Sequence, residues 1–420
     1  MSEVKLSVGS GTSITVDKCQ ICGSSKLRST LFLGYLPPVN QMRTIGDRPF
    51  EQPAYPTELL CCSECELVQL GTIVDPEVLF ACDYPYTSGS TRILHQNFSE
   101  LQEESTRLLS LTEDDLIVDF GSNDGTLLSK YKEAGFTVLG IEPTDQGKLA
   151  IERGIPTEIS FFTKQTAERI AEEKGKATVI TAANCFAHIE NVHEIVEGVL
   201  ALLEDDGVFI SESHYLMSLL DTVQYDTIYH EHLRYYSLQS LAFLFESHGL
   251  EIIHAKPIPS HGGSIRVYAA RKGTRDVLST VNEMLDAEKS RGNIFDQLDK
   301  FALQVSKSKL ELYRILAEIK STGGRVVGVS APSRASTLIS YVGLDDTLID
   351  YVVEISSSHK VGKYMPGTLI PVVDEEVMFT DQPEYALMLS WHIAEELIPK
   401  LKAKGFKGKF IVPLPEPSIY

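Results

Sequence analysis

Beyond residue 92 the chain alternates two hydrophobic rhythms. ILHQNFSELQEESTRLLSL carries apolar residues at helical spacing. LIVDF at 116–120 is a short apolar run of the kind that forms a buried strand, followed by GSNDG and the helical pattern LLSKYKEAG. VLGIEP at 138–143, TVITAAN at 178–184 and GVFISES at 207–213 repeat the strand signal, with helical segments between them. Strands alternating with helices at this spacing predict a parallel sheet covered on both faces. From about 255 a third region opens with the strand SIRVYAAR, continues through a charged amphipathic stretch over 276–321, and ends in RVVGVSA, LIDYVVE, ALMLS and KFIVP. That series predicts a second, smaller doubly wound unit. The part before 92 is different: a Ser/Gly/Thr-rich lead over 1–17, then Pro-rich stretches with short strands and little helix signal. The expected fold class is α/β in three parts, a cysteine-rich module over 1–75, a Rossmann-like domain over 76–255 and a C-terminal α/β domain over 256–420.

Composition narrows the setting. The formal net charge of −20 over 420 residues repels phosphate backbones and argues against nucleic acid as a partner. A small phosphorylated substrate remains compatible with a few local Lys and Arg. No run approaches the roughly 20 apolar residues of a membrane span. The N-terminus does not read as a secretory signal, so the cytoplasm is the expected location. In that reducing compartment seven cysteines point to metal or free thiols rather than disulfides.

Five of the seven lie between 19 and 70. Cys19-Gln-Ile-Cys22 and Cys62-Ser-Glu-Cys65 form two CxxC pairs separated by 39 residues. Two residues between thiolates let a tight turn aim both sulfurs at one ion, and two such turns complete a tetrahedral shell for structural Zn2+. The ion would supply folding energy that a small segment lacks. Cys61 is a possible competitor for Cys62. Neither pair opens a helix after a strand, the usual setting of a redox CxxC.

The segment LIVDFGSNDGTLL places a ligand at the carboxyl end of a strand. Asp119 ends the strand, and Gly121 and Gly125 allow a tight turn with close backbone approach. Glu142 ends the next strand, where a carboxylate can accept both hydroxyls of a ribose. NAD and S-adenosylmethionine both satisfy this much. DxGSNDG in place of GxGxxG, the polar pair Asn123 and Asp124 suited to an amino-acid tail, and Asn184 with His188 in AANCFAHI favour S-adenosylmethionine. Isolated Cys82 and Cys185 read as packing residues.

DTIYHEHLRYYS at 226–237 is dense in proton-transfer groups. A histidine suits a general base near neutrality, a Glu beside it can orient it, and a Tyr can hydrogen-bond a developing oxyanion. Tyr229, His230, Glu231 and His232 are therefore reaction-site candidates. CDYPYTSGS at 82–90, with Tyr84 and Tyr86, is either a lid or an aromatic linker.

Taken together these segments resemble the sugar C-methyltransferases that act on nucleotide-linked ketosugars. The resemblance spans nearly the whole chain: both CxxC pairs, YPYTSGS, VDFGSNDG, AANCFAHI, IYHEH, HGGSIR and KVGKYMPGTLIPV. It implies a zinc-binding front, an S-adenosylmethionine-binding domain and a C-terminal domain that helps hold the nucleotide. It further implies His232 as the base that forms an enolate, assisted by Glu231, Tyr229 and Tyr84; His230 is a second possible base, and Tyr86, His230 and His261 are candidates for lining the substrate site. Where relatives tend to carry a Lys in GAxAK, this chain reads GVSAPSRAST, so Arg334, Ser336 and Lys360 are the phosphate candidates. O- or N-methylation of another small metabolite is the alternative. Nothing in the sequence fixes the oligomeric state, and a monomer is compatible with it.

Overall fold

The computed structural model describes residues 12–80, 89 and 92–420. Its central element is a seven-stranded sheet, in spatial order Leu250–Ile258, Ser264–Arg271, Leu203–His214, Ala177–Ala183, Leu116–Phe120, Thr137–Ile141 and Thr157–Glu158. Ser264–Arg271 runs antiparallel to both its neighbours, and the other strands share one direction. Leu116–Phe120 and Ala177–Ala183 are almost wholly buried, as expected of parallel strands under helices on both faces. Their shared carboxyl end is the natural binding crevice.

Ser264–Arg271, expected at the opening of the third region, lies in the central sheet. The strand pairs with Leu203–His214 from His214↔Ser264 to Val208↔Ala270, inside the central sheet. A boundary at 255/256 therefore cuts a hairpin. Local pattern marks a strand, but its partner lies far away in sequence.

The expected helices and strands of the last part are present. The 276–321 stretch forms two helices, Ser279–Ser290 and Ile294–Ser321. Between them Gly292 takes φ +83°, the left-handed conformation that ends a helix most readily at glycine. A six-stranded sheet follows, ordered Val372–Asp374, Val352–Glu354, Val326–Val329, Tyr385–Met388, Lys409–Val412 and Ser418–Ile419, parallel except for the last strand. Helix Ser333–Val342 springs from the carboxyl end of Val326–Val329, where the strand order reverses.

The front module is a four-stranded sheet of Leu27–Leu36, Tyr55–Cys62, Val68–Leu70 and Arg234–Tyr235. The last strand comes from the loop that carries Tyr229–His232, paired Arg234↔Gln69 and Tyr235↔Val68. The module and the proton-transfer segment thus share one sheet. Among the described residues no helix is long and apolar enough to cross a membrane.

Candidate active site

The four thiols of Cys19, Cys22, Cys62 and Cys65 lie within 4.8 Å of one another. The closest pairs, Cys19–Cys65 and Cys22–Cys62, are 3.4 and 3.5 Å apart. Sulfurs about 2.3 Å from a tetrahedral ion would stand about 3.8 Å apart, so the set fits one zinc ion with all four positions filled by protein. Cys61 turns the other way: its Sγ contacts the Cys62 carbonyl at 3.8 Å, and burial pushes its thiol up to about 12.

The turn after Leu116–Phe120 is built as the spacing implied. Gly121 (φ +65°) lies so close to Cys185 that an added Cβ would stand 2.8 Å from its Sγ. Cys185 in turn donates to the Phe120 carbonyl at 3.1 Å, so it braces the donor loop besides filling space. Asn123 and Asn184 also adopt positive φ, 50° and 61°, a conformation Asn tolerates better than most residues. Glu142 accepts from the Asn123 amide at 3.0 Å and from the Thr144 amide and hydroxyl at 3.0 and 2.7 Å.

Asp124 and Asp119 hold the loop from behind. Asp124 accepts from the Thr126 hydroxyl, the Gly89 amide and Arg153 at 2.6, 3.1 and 2.6 Å. Asp119 accepts from Thr181 at 2.6 Å. Burial, with the charges of Glu142 and Glu212 nearby, pushes its carboxyl up to about 8. Buried Ser122 Oγ and Asn184 Oδ1 have no hydrogen-bond partner among the described residues, as in a cradle shaped for a polar guest. A carboxylate at a helix start opposes a pyrophosphate, which would seek that same helix terminus. The cluster of acids suits a cation instead.

The proton-transfer segment lies across this crevice. His232 is 4 % exposed, and its Nδ1 sits 2.7 Å from the Thr227 carbonyl oxygen. Around it stand Tyr229, His214 and His188, with ring centroids at 4.1, 4.8 and 4.9 Å. His261 is 5.9 Å from His214. Burial, reinforced by the neighbouring rings, drives the His232 and His214 pKa values well below the ordinary histidine range. Burial alone accounts for most of the drop at His188 and His261, each to about 4. Burial raises the Tyr229 phenol well above its usual range, so it remains an O–H donor. His214 escaped the sequence reading. Its signal was a titratable residue at the carboxyl end of a strand beside the donor crevice.

Two expected substrate residues are otherwise engaged. His230 faces the front module, where its Nε2 lies 3.1 Å from Thr57 Oγ1 and 3.3 Å from the Pro56 carbonyl. The chain turns tightly here, with the His232 amide donating to the Tyr229 carbonyl at 2.9 Å, so the two imidazoles diverge and only that of His232 reaches the crevice. Arg334 forks onto Asp226 at 2.7 and 2.8 Å and donates to Gln224 at 3.0 Å. Trp391 Nε1 donates to the same carboxylate at 2.7 Å and its ring lies under the guanidinium. The fork that suited Arg334 to a phosphate is satisfied by a buried carboxylate. Lys360 donates to the Ala331 carbonyl at 2.6 Å, with Glu354 and Glu231 nearby in charge, and Ser336 Oγ is buried without a partner among the described residues. Tyr84 and Tyr86 lie outside the described residues.

Three family models tile the chain: a zinc binding domain over 19–80, a methyltransferase domain over 93–255 and a C-methyltransferase C-terminal domain over 259–415. C-methyltransferase NovU of Streptomyces niveus is 34% identical over 410 residues, covering 96% of this chain and 97% of NovU. Among solved structures, the magnesium protoporphyrin IX methyltransferase of Synechocystis PCC 6803 aligns with 42% of this chain and 79% of its own at 12% identity and TM-score 0.33. A methyltransferase from Clostridium acetobutylicum aligns with 44% of this chain and 94% of its own at 13% identity and TM-score 0.35. Both likenesses cover less than half of this chain. On the full-length relative and the three matched domains, this chain belongs to the family of S-adenosylmethionine-dependent C-methyltransferases with a zinc-binding front domain.

Proposed function

We propose that this chain transfers a methyl group to a carbon beside the keto group of a nucleotide-linked deoxysugar, with His232 as the base. The observation that carries this reading is the bond from His232 Nδ1 to the Thr227 carbonyl. A carbonyl only accepts, so Nδ1 bears the hydrogen and Nε2 keeps its lone pair. A buried, neutral imidazole of that tautomer is ready to take a proton. O- or N-methylation needs no carbon acid, and so gives such a base less to do.

S-adenosylmethionine, when bound, supplies an electrophilic methyl group. Gly121, Asn123, Glu142 and Asn184 would hold it, with Asp119 and Asp124 supporting the loop. The protein's own work is on the sugar. Nε2 of His232 removes the proton beside the ketone, and the Tyr229 O–H stabilises the developing oxyanion. His188, His214 and His261 line the sugar's surroundings as neutral groups. With Arg334 engaged by Asp226, phosphate recognition falls to Lys360, Ser336 and the start of the ten-residue helix Ser333–Val342, which has no side-chain cap.

The test is incubation with methyl-labelled S-adenosylmethionine and a panel of thymidine-diphospho ketosugars, followed by mass spectrometry. Gain of one methyl on a ring carbon supports the reading. Gain on oxygen or nitrogen, or on no member of the panel, overturns it.

A further inference from the structure

Besides the shared sheet and the Thr57–His230 contact, the front module reaches the reaction loop through Asn40. Asn40 Nδ2 donates to Glu231 Oε1 at 2.8 Å, and Asn40 Oδ1 accepts from the Ser333 hydroxyl at 3.0 Å. A single amide thus joins the front module, the loop beside His232 and the first residue of helix Ser333–Val342. The two bonds also fix which way the amide faces. The carboxylate only accepts and so takes the NH2, which leaves the amide oxygen for the Ser333 hydroxyl. Turned over, the amide would set oxygen against oxygen.

The turn bearing Asn40 is itself held. Pro37 and Pro38 restrict its backbone. Pro37 packs on Gly367, where an added Cβ would meet the ring at 3.1 Å. Downstream, Tyr364 donates its amide to the Arg43 carbonyl at 2.8 Å and Ile45 donates to the Gly362 carbonyl at 2.9 Å. The KVGKYMPGTLIPV segment therefore grips the chain on either side of Asn40. Glu231 is 3 % exposed, and a carboxylate so deep keeps its charge and rotamer only with well-placed donors.

We propose that Asn40 is a positioning residue for methyl transfer: the front module uses it to orient Glu231, and Ser333 orients Asn40 in turn. This rests on the reading of residues 229–232 as the reaction centre. It gives the zinc module a part in turnover besides its part in folding, and it links substrate seated on the C-terminal domain to the loop beside His232.

The test uses the full zinc-loaded chain, methyl-labelled S-adenosylmethionine and a thymidine-diphospho-4-ketosugar as the acceptor probe. Asn40→Ala is expected to lower kcat about tenfold, in the range of one lost positioning contact, with zinc stoichiometry and donor affinity unchanged. In a Glu231→Gln background the same change is expected to add nothing, because its partner is altered. Ser333→Ala is expected to give a smaller loss that also vanishes in that background. Full turnover by Asn40→Ala, or an equal fold loss with and without Glu231→Gln, overturns the proposal. If Asn40→Ala loses its zinc, the Ser333→Ala pair decides by the same criterion. Full activity of Glu231→Gln alone would instead overturn the reading of the loop.

Discussion

The Thr227 carbonyl oxygen lies 2.7 Å from Nδ1 of His232. That contact, made within one loop, settles which ring nitrogen carries the hydrogen and which is free. It depends on the loop's shape, and the shape is imposed from outside: Arg334 and Trp391 hold Asp226 just before it, and strand Arg234–Tyr235 joins the front module's sheet just after it.

Replacing Cys62 by Ser removes one of four converging sulfurs. The expected result is loss of stoichiometric zinc and a clear fall in Tm, since the ion's binding energy is folding energy. Cys61→Ser should keep its zinc. Metal analysis beside thermal unfolding checks both, and a zinc-replete Cys62→Ser protein would contradict the assignment.

Arg334→Lys retains a positive charge but loses the two-pronged grip on Asp226, which is fully buried. Weakening a buried pair from one side typically costs about 3 kcal/mol. The fall in Tm should come with at least a tenfold drop in kcat, because a small misplacement of the loop slows the reaction steeply. Donor affinity measured by calorimetry should be unaffected. Unchanged Tm and turnover would show that the latch does nothing.

Stability should fall on mild acidification. His188, His230 and His261 titrate near 4 in the fold because burial disfavours their charged forms, against about 6.5 in an unfolded chain. Below 6.5 the unfolded chain binds protons that the folded one refuses, so stability drops as pH falls from about 6.5 to about 4. Each group contributes on the order of 3 kcal/mol at most. Denaturant midpoints measured across that window should decline steadily. A flat profile would mean these rings are solvated.

The sequence made the two CxxC pairs, the donor turn and the YHEH segment readable because each depends on residues near one another in the chain. What it hid depends on distant partners. Ser264–Arg271 reads correctly as a strand, but nothing local says that it pairs with Leu203–His214. Arg334 reads as a phosphate ligand until Asp226, 108 residues earlier, is seen to occupy it. His230 and His232 look equivalent until Thr57 claims the first. Asn40 sits among prolines in what reads as a plain turn, and only the fold brings it to Glu231.

The central claim is that His232 takes the proton from the sugar carbon. It is tested most directly by following deuterium uptake from D2O at the carbon beside the ketone of a thymidine-diphospho-4-ketosugar, without methyl donor, for the natural chain and for His232→Asn. The natural chain should exchange that position readily. The variant should slow exchange at least a hundredfold, the usual scale for losing a general base, while binding S-adenosylmethionine as before. Equal exchange rates in the two proteins would contradict the account.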